Sequence, residues 1–263
     1  MDYLGREGAP ISADLWRNID NTVVDVAKKS LKVRRFLPLV SVGTEAQYAK
    51  IERFDKGEEI EEWFVKTTNR QLVEIPQIYS DFWLNWRDLN GAIDLSPCMR
   101  AATVLSKHED EMIFYGIPAL KLEGLLTVKG SQQVKRGNWG EGENAFADVA
   151  TGIAMLEKAG RSGRYALVVS PDLYMQLQRI QAGTGVLESK RIQKLVGSDI
   201  IKSTALKDKT AFLVCAESYC MDLAVGQDIT TAYLECVDLN HHFRVMETAL
   251  LRIKCPDAIV LFT

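Results

Sequence analysis

The sequence predicts an α+β protein of two lobes, and three patterns carry that expectation. Apolar residues recur at helical spacing in two well-separated stretches, 12–31 and 97–115. Side chains alternate between apolar and polar along 243–254, as in a strand with one buried face. Between these, after a glycine-rich link at 137–142, helix and strand patterns alternate through 164–236 as in a compact α/β lobe. The long helix and the closing strands, far apart in sequence, are expected to build the other lobe together.

Ser12 can cap the first helix, whose apolar face is Leu15, Ile19, Val23 and Val26. Asp14 and Asp20 lie towards its start and Lys28, Lys29 and Lys32 at its end, which suits the helix dipole. Between 40 and 76 come Glu52, Glu58, Glu59, Glu61 and Glu62, with Gly57 among them, and β-type runs such as Trp63-Phe64-Val65. This reads as a two-stranded excursion with an acidic tip. Such a ribbon is marginal alone in water, so it should lie on this chain or on a neighbour. Ser96 and Pro97 read as the cap and first residue of a helix over 97–115, which Gly116 stops. The stripe Cys98, Ala102, Leu105, Glu109, Met112 puts a carboxylate on the apolar face. A buried Glu109 requires a cationic or hydrogen-bonding partner. Later elements are a helix over 144–159 closed by Gly160, a strand over 165–169, and a helix over 171–180 capped by Ser170. The loop Ala182-Gly183-Thr184-Gly185 then leads to a helix over 188–196. In the closing strand Phe243, Val245, Ala249, Leu251 and Ile253 share one side, interrupted by Glu247.

The chain has 263 residues, and 32 Lys plus Arg against 35 Asp plus Glu leave a charge of −3. With 47% hydrophobic and 25% charged residues, disorder is excluded, and the near-neutral balance argues against nucleic acid as a partner. Five cysteines without a C-x-x-C pair read as reduced thiols and point to the cytoplasm. No basic-then-apolar leader and no run of ~18 apolar residues appears, so neither export nor a membrane partner is expected. Signatures of chemistry are equally thin. Cys236 with His241 and His242 lacks a second ligand pair and reads as a turn before the last strands. In His108-Glu109-Asp110-Glu111 the second histidine of a zinc-protease helix falls on Met112, so paired structural carboxylates are expected. Gly160-Arg161-Ser162-Gly163 is no nucleophile elbow, and 137–142 lacks the Gly-Lys-Ser/Thr ending of a phosphate loop. The expectation is a protein without catalytic residues, metal or cofactor. The run Phe82-Trp83-Leu84-Asn85-Trp86 reads as a strand placing Trp83 and Trp86 in a core or interface, rather than as a platform for a base or flavin.

Several stretches together resemble one family: Trp16-Arg17-Asn18-Ile19-Asp20, Arg34-Arg35-Phe36, Trp86-Arg87-Asp88, Glu109-Asp110-Glu111, Ile113-Phe114-Tyr115-Gly116, Tyr165-Ala166-Leu167-Val168-Val169-Ser170-Pro171 and Leu251-Arg252-Ile253. Running in family order from about residue 4 onwards, they resemble the encapsulin shell proteins, formerly grouped with the linocin bacteriocins, and most of all the branch that packages ferritin-like, iron-storing cargo. The resemblance implies the Hong Kong 97 phage-type capsid fold. By it, a peripheral domain comprises 1–43, 77–134 and 225–263, an extension loop 44–76, and an axial domain 135–224. It also implies icosahedral self-assembly around a cargo protein, ferritin-like or a peroxidase, which carries a C-terminal targeting peptide. Carried over by position, Ile19, Val23, Arg34 and Phe36 would dock that peptide, with Arg34 pairing either a peptide carboxylate or Glu109. Ala182, Gly183, Thr184 and Gly185 would line the fivefold pore. Some members bind flavin near the position of Trp86; the surround differs here, and no flavin is expected. Asn240-His241-His242-Phe243-Arg244 departs from the family's usual proline in this turn. A viral major capsid protein of the same fold is the rival reading.

Overall fold

The structure is a computed structural model and describes residues 2–53, 69–89, 93–181 and 185–263. Helix α1 (Ala13–Ser30) starts where the Ser12 hydroxyl accepts the Leu15 N–H, as the sequence predicts. Its buried face is Leu15, Trp16, Ile19, Val23 and Ala27. After the short strand β1 (Leu39–Ser41), strands β2 (Tyr48–Arg53) and β3 (Asn69–Glu74) pair antiparallel and form the expected ribbon. Its acidic tip and the 63–65 run lie outside the described residues. The root of the ribbon is not bare. Ala49, Ile51 and Ile75 pack on Ala224 and Leu250 in a small cluster separate from the main core.

Strand β4 (Gln77–Asn85) leads through α2 (Trp86–Leu89) into the long helix α3 (Ser96–Tyr115). Ser96 is the first residue of this helix and not its cap. Its N–H and hydroxyl both donate to the Asp94 carboxylate, at 2.9 and 2.6 Å, so the carboxylate two residues earlier organises the start. Gly116 ends α3 with φ at 75°. It begins β5 (Gly116–Ile117), which pairs with β6 (Leu122–Glu123) so tightly that a Cβ on Gly116 would lie 2.1 Å from the Leu122 carbonyl oxygen. A Cβ on Gly124 would lie 2.5 Å from that of Phe114. No residue but glycine fits either position.

The chain continues as β7 (Gln132–Val134), α4 (Asn144–Lys158), β8 (Tyr165–Val169), α5 (Pro171–Gln176), α6 (Glu188–Val196), β9 (Ile201–Lys202) and β10 (Ala211–Cys215). Helix α5 is shorter than the predicted 171–180, because the chain turns back beyond it. Ile180 bridges Leu187, and Gln181 N–H donates to the Val186 carbonyl at 3.0 Å. Arg179 points away to the Gly140 and Gly142 carbonyls and to Glu188. The Ser170 hydroxyl, expected to cap α5, instead donates to Asp172. Strands β11 (Met221–Val225), β12 (Thr230–Val237), β13 (Asn240–Ile253) and β14 (Ile259–Phe262) close the chain.

Two sheets result. The first runs β1-β11-β13-β12, and β4 also pairs with β13. The long β13 joins β12 and β4 through its first half and β11 through its second, antiparallel in each case. The second is mixed and runs β7-β14-β10-β8-β9, with α4 and α6 packed against it. Thus β11 and β12, inside the stretch read as one α/β lobe, belong to the first sheet. Strands β7 and β14, from either side of that stretch, belong to the second. Apolar alternation marks a strand but carries nothing about which sheet it joins. In the first lobe Phe82 stacks on Phe243 with centroids 5.2 Å apart, and Trp16 meets Phe243 edge-on at 5.8 Å. In the second, Trp139 meets Phe262 edge-on at 5.4 Å. Each such burial is worth ~1.5–3 kcal/mol.

Candidate docking face and its buried ion network

The residues expected to grip a cargo peptide do not form a surface. Ile19, Val23 and Phe36 are 0, 1 and 1% exposed, so their side chains are spent on the chain's own core. The physical reason is the amphipathic stripe itself, which turns the most regular apolar face of α1 inward. What remains open lies on its flank. A groove of about 310 Å³ is lined by Val24, Lys28, Leu31, Arg34, Asp228 and Ile229. Val24, 40% exposed and off the stripe, is the sequence signal that marks this flank.

Arg34 forms the floor of the groove and holds three carboxylates. Its Nε and Nη2 donate to Glu109 at 2.9 and 2.7 Å, Nη1 donates to Asp228 at 2.7 Å, and Nη2 also donates to Glu247. The Glu109 and Glu247 side chains have no exposed surface, and that of Arg34 has 14%. Burial by itself would lower the guanidinium's proton affinity. The bonds to and charges of Glu109, then Glu247 and Asp228, outweigh it and push Arg34 further up. Burial, then the Glu109 charge, push the Glu247 carboxyl well above the ordinary carboxylate range, against the pull of Arg34. The structure thus gives Glu109 on α3, Glu247 on β13 and Arg34 behind α1 one shared contact. Of the two partners expected for Arg34, the Glu109 carboxylate is the one present here, and the guanidinium is engaged within its own chain.

Asp110, next to Glu109, is also structural. Its carboxylate accepts the N–H groups of Lys32 and Val33, both at 3.1 Å, pinning the turn that follows α1. Burial pushes this carboxyl up to about 7, more than those two N–H bonds pull it down.

Of the expected pore loop, Ala182, Gly183 and Thr184 lie outside the described residues. Gly185 is exposed, with φ at 67°. The aromatic run splits by strand alternation. Phe82 and Leu84 enter the core, whereas Trp83 and Trp86 stay 45 and 42% exposed, so neither is a core residue. Trp83 stacks on His242 at 4.0 Å, and His242 lies 3.2 Å from Asp81. Cys236 and His241 face each other across the β12–β13 hairpin, whose two turn residues, Asp238 and Leu239, have positive φ. Among the described residues no three His, Cys, Asp or Glu side chains are placed to hold a metal ion, and no helix is long and apolar enough to cross a membrane.

Residues 1–250 match the family described as "Encapsulating protein for peroxidase". A type 1 encapsulin shell protein of Myxococcus xanthus is 38% identical, over 98% of this chain and 95% of its own. A diheme-cytochrome-encapsulin shell fusion protein of Kuenenia stuttgartiensis is 35% identical over 95% of this chain and 72% of its own. A ferritin-like-encapsulin shell fusion protein of Pyrococcus furiosus is 22% identical over 95% and 68%. Among solved structures, a virus-like particle from Pyrococcus furiosus superimposes with a TM-score of 0.81 at 22% identity, covering 95% of this chain and 100% of that one. The capsid protein of a Myoviridae phage superimposes at 0.66 and 13% identity, covering 88% and 90%. These likenesses show the Hong Kong 97 phage-type capsid fold.

Proposed function

The chain belongs to the linocin-type family of encapsulating proteins, and on that premise we propose that it is a shell subunit whose copies close into an icosahedral compartment around a cargo protein. The observation that carries the proposal is the 38% identity to a type 1 encapsulin shell protein over 98% of the chain. Two features of the subunit agree with it. Among its described residues the ribbon β2–β3 is held by the small cluster of Ala49, Ile51 and Ile75 and by the Arg53–Glu123 ion pair, apart from the main core, as suits an arm that lies on a neighbour. Trp83, Trp86 and Tyr79 are exposed aromatic anchors of the kind that subunit contacts use. Identical subunits meeting through heterologous contacts close when the rotation between them permits, and many weak copies of one contact then hold the particle.

The cargo we propose is a ferritin-like, iron-storing protein working in the cytoplasm. The ferritin-like fusion relative favours it, and the family's description favours a peroxidase as the alternative. Its targeting peptide would lie in the groove beside α1, aliphatic side chains against Val24, Leu31 and Ile229 and charged ones near Lys28 and Asp228. The loop 182–185 would line a pore at the fivefold vertex. Size-exclusion chromatography with electron microscopy tests assembly: hollow particles are expected, and a monodisperse monomer in physiological buffer would overturn the proposal. Mass spectrometry of co-purifying protein tests the cargo; a peroxidase and no ferritin-like protein would replace the iron reading. Val24→Asp with Ile229→Asp should abolish co-purification of cargo and leave particles intact.

A further inference from the structure

A second cavity, of about 670 Å³, opens where the end of α1 meets α3 and the second lobe. Five cations face it, Lys29, Lys32, Arg35, Lys107 and Lys202, against two carboxylates, Asp110 and Asp199. The resulting +3 stands out in a chain of total charge −3. The cations come from four places: the last turn of α1, the turn after it, α3 and β9.

Local structural needs account for only part of this. Lys29 complements the dipole of α1, and the Lys32 ammonium donates to the Lys29 carbonyl at 2.8 Å. Lys107 has Glu111 at 3.4 Å on an exposed helix face. Asp110 is taken up by the backbone of Lys32 and Val33. Among the described residues no carboxylate lies within ion-pair distance of Lys29, Arg35 or Lys202, although the fold directs all three to one hollow. Like charges gathered without counter-charge repel, and a bound polyvalent anion relieves that repulsion. Thr204 and Gln193 add neutral donors to the wall, whereas the Thr103 hydroxyl donates to the Met99 carbonyl at 2.9 Å, and the Lys202 ammonium sits 5.2 Å from the Tyr174 ring centre, which orients it.

We propose that this cavity binds a phosphate-bearing small anion. A phosphate carries enough charge to engage several of these cations at once and has oxygens for the Thr204 hydroxyl and the Gln193 amide. The volume falls within the range of pockets that hold drug-sized ligands, so inorganic phosphate and a mononucleotide share the chemistry that the cavity offers. The proposal is independent of the shell reading.

Isothermal titration calorimetry on the purified protein, in the state in which it purifies and at low ionic strength, tests it. Sodium phosphate and ADP are the two probes. Saturable binding near one site per chain is expected, weakened at least tenfold in Arg35→Ala/Lys202→Ala and, independently, in Lys29→Ala/Lys107→Ala. ADP binding more tightly than phosphate assigns a nucleotide; equal affinity assigns the phosphate group alone. Both residues of the first pair are exposed, so folding should survive, and circular dichroism checks it. No saturable heat with either probe overturns the proposal. So does binding that both double variants leave within threefold of the parent.

Discussion

Removing Arg34 should unfold the subunit at a lower temperature by an amount that the ion network sets. Arg34→Ala leaves Glu109 and Glu247, neither with exposed side-chain surface, without their shared cation. Stripping one partner from a buried ion pair costs ~3–5 kcal/mol. Asp228, whose side chain is 72% exposed, adds little because water screens it. At ~2.1 cal/mol/K per residue, a chain of 263 residues gains ~0.55 kcal/mol/K on unfolding, so the loss corresponds to ~5–9 °C in Tm. Differential scanning calorimetry at equal protein concentration and equal assembly state reads it. Arg34→Lys should fall between, since one ammonium cannot fork to two carboxylates. Arg34→Ala combined with Glu109→Gln and Glu247→Gln should recover part of the loss, because the stranded charge is gone. A midpoint for Arg34→Ala within ~2 °C of the parent would refute the reasoning. A triple variant no better than Arg34→Ala would locate the cost in packing rather than charge.

The folded pKa of Asp110, about 7, lies above the ordinary ~3.9, so the folded state holds this proton more tightly than the unfolded chain. Its contribution to stability is complete below about pH 4 and is lost as pH rises towards 7. Asp110→Asn should flatten the urea midpoint between those limits, and an unchanged slope counts against the assignment. Of the five cysteines only Cys236 is exposed. Maleimide should therefore label the native free subunit once, and all five sites after denaturation; labelling of Cys215, Cys220 or Cys255 without denaturant would contradict the fold. Gly124→Ala would push a methyl group to 2.4 Å from the Gly116 nitrogen and 2.5 Å from the Phe114 oxygen, both backbone. Neither can move aside, so a loss of ~3 kcal/mol or more in stability, or of soluble protein, is expected. Parent-like melting would mean that the β5–β6 turn is not this tight.

Elements whose burial imposes a period were readable in the sequence. The stripe of α1, the stripe of α3 with its embedded Glu109, and the alternation of β13 with its embedded Glu247 all lie where spacing put them. Embedded Glu109 announced a need for a cationic or hydrogen-bonding partner, and Arg34 meets it for Glu109 and for Glu247 as well. Relations between elements were not readable. Nothing local distinguishes a strand bound for the first sheet from one bound for the second, so β11, β12 and β14 had to be placed by the fold. The start of α3 lies one residue before the predicted one because Asp94 and Ser96 can both organise a helix start, and only geometry selects the Asp94 carboxylate. Of the positions carried over as a docking patch, Ile19, Val23 and Phe36 turn inward for a related reason. Likeness by position finds the helix, but the residues that define its periodicity are those it buries, and the groove belongs to Val24 and Leu31 beside them.

The ribbon β2–β3 has its own small apolar cluster at the root, apart from the main core. Its backbone hydrogen bonds are therefore guarded by a contact that can open without unfolding the lobes. Amide exchange along β2 and β3 then becomes a gauge of company rather than of folding, fast in an isolated subunit and slow once a neighbour covers the arm. Strand β10, buried throughout, and β8, buried at every residue but Tyr165, supply the internal clock against which that slowing is read.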